Sequence, residues 1–130
     1  MLLFIVDLVP VFTSQPSNPS TVVEGQNLTL HWSYNLDGQP NFFTRISNVT
    51  GGSGTTVASR SDSNNAIVTA GYENQFTAFI SDTEAILTIL TVPRSVNEEK
   101  YKLLVLTTGS SLTSVDVAIS VLCEYKALSN

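Results

Sequence analysis

The chain has 130 residues, 42% of them hydrophobic and 13% charged, with a formal net charge of −5. That suffices for one domain with its own core, is too short for two, and excludes a disordered or highly charged tail. Six Lys and Arg spread along an acidic chain form no phosphate-tracking stripe, which argues against a nucleic-acid partner.

Residues 1–8 begin with "MLLFIV", a run far too short to span a bilayer. They are either the remnant of a secretion signal, although a basic start is missing and Asp7 ends the apolar run, or an extension of the first strand. Residues 9–122 predict a single β domain. "PVFTS" alternates and then meets "QPSNPS", whose prolines do not fit the middle of a sheet. "TVVEGQNLTLHWSY" reads as two strands around a Glu24-Gly25-Gln26 turn. In "NLTLHWSY", Leu28, Leu30 and Trp32 point one way, Thr29 and His31 the other. "NLDGQP" is a turn, "NFFTRIS" a strand and "VTGGSGTT" a loop. "TVAS" and "AIVT" are short strands parted by "RSDSNN". "QFTAFIS" and "EAILTIL" follow, then the loop "PRSVNEE". "KYKLLVLTT" and "SLTSVDVAISVL" form a hairpin around Gly109-Ser110-Ser111. Residues 123–130 are a tail or linker. No segment sustains a helical period, so an all-β sandwich or barrel is predicted.

"EGQNLTLHW" resembles the turn and B strand of immunoglobulin-like domains, with Trp32 where the first core cysteine would lie. "LTILTVPRSVNEEKYKL" (87–103) is similar to their E strand, E–F corner and F strand, with Leu87 and Ile89 on E. Tyr101 precedes Leu103 by two residues, as the corner tyrosine of the family precedes the second cysteine. The resemblance therefore implies an immunoglobulin-like two-sheet Greek-key sandwich in which Trp32 and Leu103 replace the inter-sheet disulfide. It also implies that Phe43, with Phe42 as the alternative, takes the place of the strand C tryptophan. The family's Asp before the corner tyrosine is Asn97, and the Arg that pairs with it matches Gln75, so a buried ion pair is expected to become an amide pair. Some 33 residues part Phe43 from Phe76. They leave room for two extra strands and so for the variable-type arrangement of about nine strands.

Packing has the magnitude to replace the cross-link. Closing a loop of about 70 residues is worth roughly 4 kcal/mol, and burying an indole roughly 4–6 kcal/mol as an upper bound.

Nothing in the chain predicts catalysis or a cofactor. The only histidine, His31, lies between inward residues and is expected in solvent. Glu98 and Glu99 are neighbours on a loop, which does not aim two carboxyls at one substrate. "GGSG" lacks the lysine and following helix of a phosphate loop. One cysteine, Cys123, allows no internal disulfide and no multi-cysteine metal site. It is a buried thiol, a cross-link to a neighbour, or an exposed thiol.

A binding role is better supported. With Tyr101, Leu103 and Val105 inward, Lys102, Leu104 and Leu106 face out. With Val115, Val117, Ile119 and Val121 inward, Asp116, Ala118 and Ser120 face out. With Phe43 inward, Phe42, Thr44 and Ile46 face out. The expected apolar patch is Phe42, Ile46, Leu104, Leu106 and Ala118, rimmed by Lys102 and Asp116; such patches mark interaction sites. Variable-type members of the family often pair through this C–F–G face. The competing reading is that "MLLFIV" covers the patch, or that it reflects strand propensity alone.

The expected function is extracellular recognition or adhesion by a cell-surface receptor, with a protein partner, homophilic or not, and a membrane anchor downstream. The weaker likeness is to divergent invertebrate self-recognition receptors. The alternatives are an intracellular structural module and a secreted domain that holds a ligand such as a carbohydrate. "NLT" at Asn27 and "NVT" at Asn48 are glycosylation sequons, although a chain rich in Ser and Thr produces such triplets by chance.

Overall fold

The computed structural model describes residues 9–123. Its strands are β1 (Val11–Ser14), β2 (Ser20–Val23), β3 (Leu28–Asn35), β4 (Asn41–Asn48), β5 (Thr55–Ser61) and β6 (Ile67–Val68). They continue with β7 (Phe76–Ile80), β8 (Glu84–Ile89), β9 (Lys100–Thr107), β10 (Ser111–Thr113) and β11 (Val117–Leu122). Among the described residues the only helical elements are two single 3-10 turns, Thr50–Gly52 and Arg94–Val96.

Two sheets face each other. One has the order β1-β3-β8-β7; the other has the order β2-β11-β9-β4-β5-β6, with β10 paired to β9. All pairings are antiparallel except β2 with β11. The first edge changes sheets at the prolines, which cannot donate to a ladder. There Asn18 clamps the chain to β11: its amide donates to Asp116 O at 2.9 Å and its Oδ1 accepts from Ala118 N at 3.0 Å. The next turn has Gly25 at φ 90°, a backbone state that other residues rarely adopt.

The core follows period-2 patterning. Leu30, Trp32 and Tyr34 of β3 are buried, with Ala85, Leu87 and Ile89 of β8 beside them. Tyr101, Leu103 and Val105 supply the facing layer from β9, and Val117, Ile119 and Val121 from β11. Trp32 is wholly buried and pairs across β3–β8 with Ala85, whose small side chain leaves room for the indole. The indole Nε1 has no hydrogen-bond partner among the described residues, a cost set against the area it buries.

Strand β4 departs from the expected facing. The ladder slips between Asn41 and Phe43 against β9, and between Ile46 and Ser47 against β5. The first slip places an extra residue, Phe42, on β4 and flips its alternation beyond that point, whereas the second places its extra residue, Val57, on β5. As a result Thr44 and Ile46 point inward, Ile46 at 0% exposure, and Phe43 is half-buried outside the core. Phe43 therefore does not fill the slot of a core aromatic, and Ile46 does not belong to the outer patch. Thr44 is satisfied inside by donating to Asn41 Oδ1 at 2.9 Å.

The strand expected over "SLTSVDVAISVL" also departs, breaking between β10 and β11. Ser114 turns inward there, accepts from Leu103 N at 2.9 Å and donates to Val115 O at 2.9 Å. Val115 is consequently thrown out to 58% exposure and is not a core residue. The expected Asn97–Gln75 pair does not form either. Asn97 Oδ1 accepts from Val121 N at 2.9 Å, while the Gln75 side chain is exposed.

Candidate functional site

The outer face of the seven-stranded sheet is built by cross-strand register. One row runs Ser61–Phe43–Leu106–Ser111 across β5, β4, β9 and β10. The next runs Ile67–Ser59–Arg45–Leu104–Thr113 across β6, β5, β4, β9 and β10. Directly paired residues project to one face, so Phe43, Leu104 and Leu106 meet at the middle of the sheet. Leu104 and Leu106 are half-buried opposite the buried Tyr101, Leu103 and Val105. Phe42, at the bulge, is 42% exposed, and Ile67 is 67% exposed at the sheet edge. Lys102 and Asp116 form an ion pair of 3.5 Å beside the patch, and Ala118 is half-buried opposite Lys100 on β11. An exposed pair of this kind adds little energy and mainly orients its charges.

The patch thus keeps Phe42, Leu104, Leu106, Lys102, Asp116 and Ala118, loses Ile46, and gains Phe43, Arg45 and Ile67. The doublet Phe42-Phe43 was the available signal: two adjacent aromatics on one strand lie outside the core together only if a bulge parts them. Ile67 sits on a two-residue strand, too short to show alternation. The reading that "MLLFIV" covers the face lies outside the described residues.

The remaining chemistry-bearing side chains are placed as follows. His31 is exposed; its Nε2 lies 3.0 Å from Glu84 Oε2 and 3.4 Å from Ser33 Oγ. Serine and carboxylate share the same ring nitrogen, so the three groups form no relay, which requires opposite nitrogens. Glu98 is exposed at φ 69°, whereas Glu99 is half-buried and accepts from the Tyr101 hydroxyl at 2.7 Å. Burial, followed by that hydrogen bond, pushes the Tyr101 phenol well above its ordinary range. Asn27 is exposed with its Oδ1 bonded to Thr91 N, and Asn48 is half-buried with its Oδ1 accepting from Thr50 N. Cys123 is an exposed free thiol. Among the described residues no three His, Cys, Asp or Glu side chains cluster as a metal site, and no helix is long and apolar enough to cross a membrane.

At the turn end of the sandwich, Arg60 is buried. It donates from Nε to Asn64 O at 2.8 Å and from Nη1 to Asp82 at 3.0 Å, linking the β5–β6 and β7–β8 turns. Thr107 donates to Gln39 Oε1 at 2.9 Å, linking the β9–β10 and β3–β4 turns.

No family model and no curated protein matches the chain. Solved structures do share its fold. A chain from the structural study of T cell activation by the bacterial superantigen toxic shock syndrome toxin-1 aligns at TM-score 0.71 and 17% identity, over 88% of this chain and 100% of that one. Murine CRIg aligns at TM-score 0.69 and 16% identity, covering 88% and 98%. A tandem of titin immunoglobulin domains aligns at TM-score 0.60 and 15% identity, covering 88% and 50%. At such identities the likeness is one of fold: the chain is an immunoglobulin-like sandwich, closed without an internal disulfide because it has one cysteine.

Proposed function

We propose that this domain is a variable-type immunoglobulin module that recognises a protein partner through the outer face of its β11-β9-β4-β5 sheet, on an extracellular receptor or adhesion protein. One observation carries the reading. Phe43, Leu104 and Leu106 converge at the centre of that face, with Arg45, Lys102 and Asp116 around them, an apolar centre with a polar rim. The β5–β6 pair between β4 and β7 supports the variable type. Likeness to murine CRIg and to a chain from the T cell study favours a recognition role.

Homophilic binding is the version that can be tested without knowing the partner. Sedimentation equilibrium of the purified chain should reveal a dimer that Leu104→Glu and Phe43→Glu abolish while the melting temperature stays near the parent value. A monomer at every concentration rejects the homophilic version. If a partner is later captured and both variants still bind it, the face itself is wrong. In an extracellular setting Asn27 and Asn48 are the glycan acceptors, checked by a mass loss on glycosidase treatment after secretion.

A second reading, a structural module inside the cell, draws on the titin likeness and on a sandwich that holds without a disulfide. The flanking gene sequence separates the two. A complete secretion signal upstream and an apolar span of about 20 residues downstream support the receptor; tandem modules with neither support the scaffold.

A further inference from the structure

At the end of the sandwich opposite the β3–β4 turn, the two sheets part around a cavity of about 480 Å³. That size lies inside the range of small-molecule sites, roughly 300–1,000 Å³. It opens beside the position where the resemblance expected a buried ion pair, where Asn97 instead accepts from Val121 N and the Gln75 side chain is exposed. Its floor is apolar, formed by Val57 and Ile89.

Two features define its chemistry. The first is a contiguous row of rings: Tyr72 and Phe76 meet edge to face with centroids 6.1 Å apart, and Phe76 and Tyr101 at 6.2 Å. The second is charge. Among the described residues Glu99 is the one carboxyl side chain of the lining, and no Lys, Arg or His of the lining stands with it. Its Oε2 is fixed by the Tyr101 hydroxyl at 2.7 Å. A carboxylate has about four acceptor positions on its two oxygens, so one bond leaves most of that capacity open. The raised Tyr101 phenol stays protonated, so it remains a donor to Glu99 rather than a competing anion. An anion entering this cavity meets an unneutralised carboxylate, whereas an ammonium group meets the carboxylate and the electron-rich rings together.

We propose that this cavity binds a small organic cation, an ammonium group carrying an aromatic or apolar substituent. The ammonium pairs with Glu99 and the substituent lies against the Tyr72–Phe76–Tyr101 row above the apolar floor. The site lies between the sheets, and its occupancy does not depend on the protein-binding face.

The test titrates the unglycosylated full chain at neutral pH with benzylamine and, separately, with benzyl alcohol, which has the same shape and no charge. Binding is followed by the NMR shifts of the tyrosine and phenylalanine rings. Benzylamine should bind about tenfold more tightly than the alcohol and move the Tyr72, Phe76 and Tyr101 signals. Glu99→Gln should remove that preference, and Glu98→Gln, altering the exposed neighbour, should leave it intact. Equal affinity for the two probes in the parent chain, shifts confined to other rings, or no binding would overturn the proposal whether or not Glu99→Gln folds.

Discussion

Strands β3 and β4 are both eight residues long, both cross the middle of a sheet, and obey different rules. β3 pairs with β8 in unbroken register from Leu28 to Ser33, and its side chains alternate in and out as its letters do. β4 carries an extra residue, Phe42, in its pairing with β9, and its facing is decided by where that bulge falls. A regular ladder lets the hydrophobic pattern dictate the core, whereas a bulged one lets a neighbouring strand override it. The same contrast divides the continuous β9 from the broken pair β10 and β11.

The comparison is sharpest at its largest expected effect. Trp32→Ala should cost about 3–5 kcal/mol, because it empties the largest wholly buried side chain. Chemical denaturation measures this, and a loss below about 1 kcal/mol would show that the indole is not the inter-sheet wedge.

Ile46→Ala should cost about 2–4 kcal/mol, and Phe43→Ala less than about 1 kcal/mol. That order is the signature of the bulged register, and the reverse order in equilibrium unfolding would restore the uninterrupted alternation.

Ser114→Ala should cost about 1–3 kcal/mol, since Leu103 N–H, in the centre of the core, then has no acceptor. Faster hydrogen exchange at the Leu103 amide is its specific mark, with no comparable change at Val105.

The last prediction is nil at neutral pH and grows above it. Burial raises the phenols of Tyr34 and Tyr101 from their ordinary value of 10.0. Because the folded values lie above the unfolded ones, this contribution to stability is fully present below pH about 10. It is lost as the pH climbs further and the unfolded chain ionises first. Unfolding midpoints measured through alkaline pH should fall there, and Tyr34→Phe should flatten the fall.

What could be read in the letters follows the same division. The strand succession, the turn at Gly25, the burial of Trp32, Leu87, Ile89, Tyr101 and Leu103, and the outward Leu104 and Leu106 rest on local alternation and turn chemistry, both written residue by residue. Two thirds of the outer patch was equally legible. Ile46, Phe43 and Val115 were not, because a bulge is a relation between strands. The cavity beside Glu99 escaped for a related reason: Tyr72, Phe76 and Tyr101 are separated in sequence and become a row only when β7 and β9 are stacked.

By itself, then, the amino-acid order determined an all-β chain, its turns, and a core able to do without a cross-link, since those depend on side-chain period and apolar area. The tertiary structure decided which aromatic of β4 reaches the surface, where Ser114 enters the core and that the sheets part over an isolated carboxylate. Those outcomes depend on the register between strands, and a one-residue slip that hardly alters local preference reverses every side chain beyond it.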